Sequence, residues 1–185
     1  MIKITLLILN HLFLLTFFTV PAYSKTEILI LEPISKSQNV KTGLDVLLDD
    51  HIELLKGKSI GLITNHSGIS QTGKANYKIF QKTKGIKLKT IFAPEHGFYG
   101  EASAGTKIEY KNQNEIGPKI ISLYGKNRKP TIEMLDGLDL IIYDIQDIGA
   151  RFYTYISTLG MAMEVAAKKN ISIIVLDRPN PLGGK

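Results

Sequence analysis

Glu95 and His96 place a carboxylate beside an imidazole in the run Phe92-Ala93-Pro94-Glu95-His96-Gly97-Phe98, where an apolar stretch stops and glycines begin. A carboxylate held in place can give or take a proton, and an adjacent imidazole can assist it. A solvated loop carrying a charge pair fits the same residues. A denser set lies at Tyr143-Asp144-Ile145-Gln146-Asp147-Ile148-Gly149-Ala150-Arg151-Phe152-Tyr153-Thr154-Tyr155. Aromatic faces with carboxylates and amides suit a sugar ring, whose C–H face needs a platform and whose hydroxyls need hydrogen-bond partners. The alternative is that Asp147 and Arg151 pair at helical spacing while Phe152 fills the core. Polar groups recur at Asn65-His66-Ser67-Gly68, where a helix N-terminus would suit an anion, and at Asp177-Arg178-Pro179-Asn180-Pro181, held stiff by two prolines.

The elements that must position these groups follow from pattern. Residues 85–92 alternate apolar and polar and read as a strand, which Pro94 ends because it lacks a ladder amide. Residues 59–64, 119–123, 138–145 and 171–176 read as further strands. Leu44, Val46, Leu47, Leu48, Ile52, Leu54 and Leu55 fit one amphipathic helix ending near Gly57. Further helices are expected around 75–82 and over 154–169, with a short one that Thr131 can cap. Each later strand delivers its polar residues at its carboxyl end. That one-sidedness predicts an α/β fold, a Rossmann-like parallel sheet flanked by helices, with a site along one edge.

The ends of the chain read differently. Lys3, an apolar centre and the small residues Ala22 and Ser24 make residues 1–24 a secretory signal peptide, so an exported protein, periplasmic or extracellular, is expected. Left uncut, the same run is close to membrane-spanning length. Residues 25–41, with one apolar run at Ile28-Leu29-Ile30-Leu31, read as an extended lead-in or tether, and 42–185 as the catalytic domain.

Composition removes several functions. There is no cysteine, which excludes disulfides, thiolate catalysis and cysteine-bound metal. Four histidines with no H-x-x-x-H pair leave a metal site without support, and no metal is expected. The net charge is +6, or +5 without Lys3, but the lysines are dispersed, so nucleic acid is not a predicted partner. GxGxxG and GxxxxGK[ST] are both absent.

Six blocks, taken together, carry a resemblance. Asn65-His66-Ser67-Gly68, Pro94-Glu95-His96-Gly97-Phe98, Ser122-Leu123-Tyr124-Gly125, Arg128-Lys129-Pro130-Thr131, the segment 144–155 and Leu176-Asp177-Arg178-Pro179-Asn180-Pro181-Leu182-Gly183-Gly184 resemble the successive signatures of the NamZ-type exo-β-N-acetylmuramidases. The resemblance implies a Rossmann-like domain paired with a smaller second domain, a cleft between them, and release of N-acetylmuramic acid from non-reducing ends of peptidoglycan fragments without a cofactor. It places the catalytic glutamate on Glu95 and implies substrate contacts at His96, Gln146, Arg151, Tyr153, Asp177, Arg178 and Asn180. Asn65, His66 and Asp147 join them as binding residues, and Asp144 is the next catalytic candidate.

Family members continue past the Pro-Asn-Pro block, whereas this sequence stops at Lys185. The expectation is therefore a truncated chain lacking the second domain, incomplete at its C-terminal end, with a separately encoded second half as one source of the remainder. Glycoside hydrolysis normally takes two carboxyl groups. If the second lies beyond Lys185, the chain holds half a site, and Asp144 or Asp177 would have to serve instead. The alternative functions are a wall-glycan or muropeptide-binding remnant that does not cut, and a fragment without function. The lactyl carboxylate of muramic acid is then the expected anion near Ser67.

Overall fold

The computed structural model describes residues 28–31 as backbone and residues 40–100, 117–125 and 127–183 in full. The expected signal peptide lies outside the described residues.

Six strands form one parallel sheet: β1 (Ile28–Leu31), β2 (Ser59–Thr64), β3 (Lys87–Ala93), β4 (Lys119–Ser122), β5 (Leu140–Asp144) and β6 (Ser172–Leu176), in the order β1-β6-β5-β2-β3-β4. Among the described residues three α-helices accompany them, α1 (Gly43–Asp50), α2 (Asn76–Lys82) and α3 (Tyr155–Lys169). The expected α/β sheet is therefore present, with one addition. Residues 28–31, expected to be part of a lead-in or tether, pair in register with β6 from Ile28↔Ile173 to Leu31↔Leu176, so the sheet begins upstream of residue 42. A run of four apolar residues carries too little periodicity to tell an edge strand from a tether.

Alternation along the strands divides the core into two layers. Ile60, Leu62, Leu140, Ile142, Ile174 and Leu176 face Leu44, Leu47, Leu55 and Phe80, from α1, the turn after it and α2. Ile63, Phe92, Ile141, Tyr143 and Ile173 face Ala162, Val165 and Ala166 of α3. Leu88 and Ile91 share the first face although three residues apart. The register slips between Ile60↔Leu88 and Gly61↔Thr90, leaving Lys89 as an extra residue that bends β3.

The first helix is shorter than its apolar pattern suggests. Thr42 and Asp45 close a capping box at its start, but it ends at His51, and Ile52–Leu55 form a 3-10 turn instead. The tighter turn still buries Leu55, which is why the apolar spacing looked continuous. Likewise the short helix after Thr131 is only a 3-10 turn, Glu133–Leu135, although the Met134 amide does donate to the Thr131 hydroxyl at 3.4 Å.

Gly61 has no room for a side chain. A β-carbon there would stand 2.8 Å from Leu138 Cδ1 and 3.1 Å from the Phe92 ring. Gly61→Ala is expected to overpack this layer and cost about 1–3 kcal/mol. Thermal unfolding followed by circular dichroism checks it, with a drop of about 2–4 °C per kcal/mol expected for a chain of this size.

Candidate functional site

Because all six strands run the same way, the segments after β2, β3, β4, β5 and β6 emerge at one edge of the sheet. The chain order reverses where β2 lies beside β5, since β2 leads outward to β3 and β5 to β6. Such a point opens a crevice at the carboxyl ends of the strands.

Side chains fill the floor of that crevice. Asp144, the last residue of β5, is completely buried, and Arg178 Nε donates to its Oδ1 at 2.7 Å while Asn76 Nδ2 donates to its Oδ2 at 2.8 Å. Asn76 also donates to the Thr64 hydroxyl at 2.8 Å, and that hydroxyl donates to the Asp144 carbonyl at 2.7 Å. Burial pushes the Asp144 carboxyl up, against the opposing pull of the Arg178 guanidinium and then Asn76. Arg178 reaches on to donate to the Ile69 carbonyl at 3.0 Å. Asp144 is thus walled off, and the sequence-based choice of it as a catalytic carboxylate is corrected: both its oxygens are occupied and none of its surface is open. Arg178, with a side chain only 5% exposed, is spent on the same network rather than held out to a ligand.

The block after β2 is also committed internally. Asn65 Oδ1 accepts from the Ser67 amide at 2.9 Å and the Ser67 hydroxyl at 2.6 Å, while its Nδ2 donates to the Tyr155 hydroxyl at 3.0 Å. This is an Asx turn, not a helix start, and the Gly68 amide is taken by the Asn65 carbonyl at 3.1 Å. The anion site expected near Ser67 and Gly68 is therefore not built. Ser67 Oγ accepts the Gln146 amide at 2.9 Å, and the Gln146 side chain donates to the carbonyls of Asp147 and Pro179, each at 2.9 Å. Gln146 so ties the loop after β5 to the loop after β6. His66 is exposed, its ring against Gly100, where a β-carbon would collide with it.

Glu95 stands differently. Pro94-Glu95-His96-Gly97 is a turn closed by the Gly97 amide on the Pro94 carbonyl at 3.0 Å, with His96 at φ 69°. Positive φ at the third residue of a turn normally calls for glycine, and holding a histidine there costs about 1–3 kcal/mol. The His96 ring lies parallel to Tyr153, centroids 6.2 Å apart and planes at 21°. Tyr153 meets Tyr155 edge-on at 4.9 Å. The Tyr155 hydroxyl, pushed up to about 12, first by burial and then by Tyr153, stays protonated. The Thr154 hydroxyl donates to Glu95 Oε2 at 2.9 Å. Glu95 Oε1 has no hydrogen bond among the described residues.

Five of the sequence-named residues line two recesses, while Asn65, His66, His96, Asp144, Gln146, Tyr153 and Asn180 line neither. Glu95 lines one of ≈ 380 Å³ with Leu123, Tyr124, Arg128, Thr154 and Ser157. Asp147, Arg151, Asp177 and Arg178 line another of ≈ 330 Å³, floored by Tyr143 and Val175. Asp177 is exposed at the end of β6. Asn180, also exposed, accepts the Leu182 amide at 2.9 Å and closes its own loop. The proposed Asp147–Arg151 pairing is not found: Asp147 accepts the Gly149 amide at 2.7 Å, the segment is not helical, and Phe152 is 84% exposed. Among the described residues no group of three or more acidic or histidine side chains is placed to hold a metal ion.

Tyr124, Arg128, Thr154 and Asn76 were not picked out from sequence as site residues. The first three lie inside the recognised blocks, which was the available signal. Asn76 read only as part of a crossover helix.

A family profile described as "Exo-beta-N-acetylmuramidase NamZ, N-terminal" matches residues 60–185. A protein of Bacillus subtilis (strain 168) named peptidoglycan beta-N-acetylmuramidase NamZ is 48% identical over 150 residues, 81% of this chain and 36% of that protein. A crystal structure of a DUF1343 family protein from Bacteroides fragilis NCTC 9343 superposes with a TM-score of 0.70 at 46% identity. A second DUF1343 family protein from the same organism superposes with a TM-score of 0.61 at 32% identity. Each superposition covers 78% of this chain and 36% of the other, so this chain spans little more than a third of the length of the relatives it matches.

Proposed function

This chain belongs to the exo-β-N-acetylmuramidase NamZ N-terminal family, and on that premise we propose that it supplies the Rossmann-like part of a glycoside hydrolase releasing N-acetylmuramic acid from the non-reducing ends of peptidoglycan fragments. The observation that carries this reading is the setting of Glu95. It stands at the carboxyl end of β3 in an open recess, one oxygen fixed by Thr154 and the other without a hydrogen bond among the described residues. Glu95 then acts as the acid/base at the glycosidic oxygen. The His96–Tyr153 pair offers an aromatic face to the sugar ring beside it.

Hydrolysis takes a second carboxylate across the bond. The burial of Asp144 speaks against it in that part. Of the acids named for that part from the sequence, Asp177 is left, and it lines the other recess rather than that of Glu95. The reaction needs no cofactor in this reading, and the signal-peptide pattern of residues 1–24 supports a site of action outside the cytoplasm, where wall glycan is found.

Glycan binding without cleavage is the second reading, favoured by one observation: among the described residues lining the recess of Glu95, no other acid appears. Incubating the chain with the disaccharide N-acetylmuramyl-β-1,4-N-acetylglucosamine and identifying products by mass spectrometry separates the two. Free N-acetylmuramic acid is the expected result. Saturable binding with no product supports the second reading, and neither binding nor product contradicts both.

A further inference from the structure

The block Arg128-Lys129-Pro130-Thr131 has no part in the chemistry above, yet the fold brings Arg128 to the recess of Glu95. Arg128 lines the recess that holds Glu95 and also the adjoining recess of ≈ 560 Å³, so it stands on the wall between them. Three cations surround the second recess. Lys129 and Lys168 are both committed to Glu164, at 3.3 and 2.6 Å. Arg128 has neither an ion pair nor a hydrogen bond among the described residues.

A guanidinium offers two parallel N–H donors, and the group that matches them is a planar carboxylate. Glu95 does not meet this need, since its hydrogen bond comes from Thr154. A ligand carboxylate would. The hydroxyls of Tyr124 and Ser157, in the same recess and without hydrogen bonds of their own among the described residues, can donate beside it.

We propose that Arg128 binds the 3-O-lactyl carboxylate of N-acetylmuramic acid and is the residue that selects this sugar over N-acetylglucosamine. The inference rests on the function proposed above and adds to it the group that is read. The two sugars differ only in that lactyl ether, so a bidentate contact to its carboxylate is the discrimination available. Arg128 transfers no proton; it is a specificity residue that fixes the ring next to Glu95.

The test is binding of the whole chain to N-acetylmuramic acid, its lactyl methyl ester and N-acetylglucosamine, by titration calorimetry at low salt. The parent is expected to prefer the free acid by about 10- to 100-fold, the scale of charge-assisted hydrogen bonds. Added salt should narrow the preference. Arg128→Gln should bind all three ligands alike, and Arg128→Lys should keep part of the preference. A preference that survives Arg128→Gln overturns the role of Arg128 while the function stands. A parent that binds the three equally also overturns it, and a parent that binds none overturns the function and this inference together.

Discussion

Arg178→Met is expected to destabilise the fold by about 3–5 kcal/mol, because it leaves the Asp144 carboxylate buried with no opposing charge. Asp144 has no exposed surface and, among the described residues, its Oδ1 is held by Arg178 alone at 2.7 Å. Asn76 still donates to Oδ2, but one neutral amide does not replace a guanidinium. Chemical denaturation with a two-state fit checks the size of the effect. The double variant Asp144→Leu with Arg178→Met should recover much of it, since removing both charges removes the penalty.

The pH dependence has a definite sign. Burial already raises the Asp144 carboxyl above the ordinary carboxylate value, and the guanidinium opposes that rise. Without Arg178 the folded-state value rises further. A carboxyl raised in the folded state takes up a proton on folding, so its favourable contribution is full below the unfolded value, about 3.9, and is lost as pH rises through the folded one. The gap between variant and parent should therefore narrow as pH falls from 7 toward 5. A gap that is constant or widens over that range would count against the buried ion pair.

Most of the sheet was legible because its signals are local. β2, β3, β5 and β6 are apolar runs closed by turn residues, and each appears within two residues of its expected bounds. The break in the first helix was not legible, since a 3-10 turn buries Leu55 just as a helical turn would. The family was legible in its six blocks, and the profile match bears that out. The difference between an exposed acid and a buried one was not. Glu95 and Asp144 both follow apolar strands, but residues 68 apart in sequence, Asn76 and Asp144, and 34 apart, Asp144 and Arg178, decide that Asp144 is enclosed. Contacts between such distant positions leave no periodic trace in one sequence. The same holds for Thr154, whose hydroxyl finds Glu95 across 59 positions.

Glu95→Gln carries the largest expected functional effect. The substitution keeps the size of the side chain and can still accept from Thr154, so the turn and its stability should persist. What it removes is the proton. General acid–base catalysis contributes about 10²–10⁴-fold, and a loss of that size in kcat, with KM little changed, is the signature of an interaction made in the transition state alone.

The most direct measurement is turnover of a chromogenic β-N-acetylmuramide by the chain and by Glu95→Gln, side by side, with thermal unfolding recorded for both. Activity in the parent that falls by two orders of magnitude or more in a variant of equal melting temperature is the predicted result. A variant as active as the parent would contradict the account, because the proton would then be handled elsewhere and the recess beside β3 would not be the catalytic site.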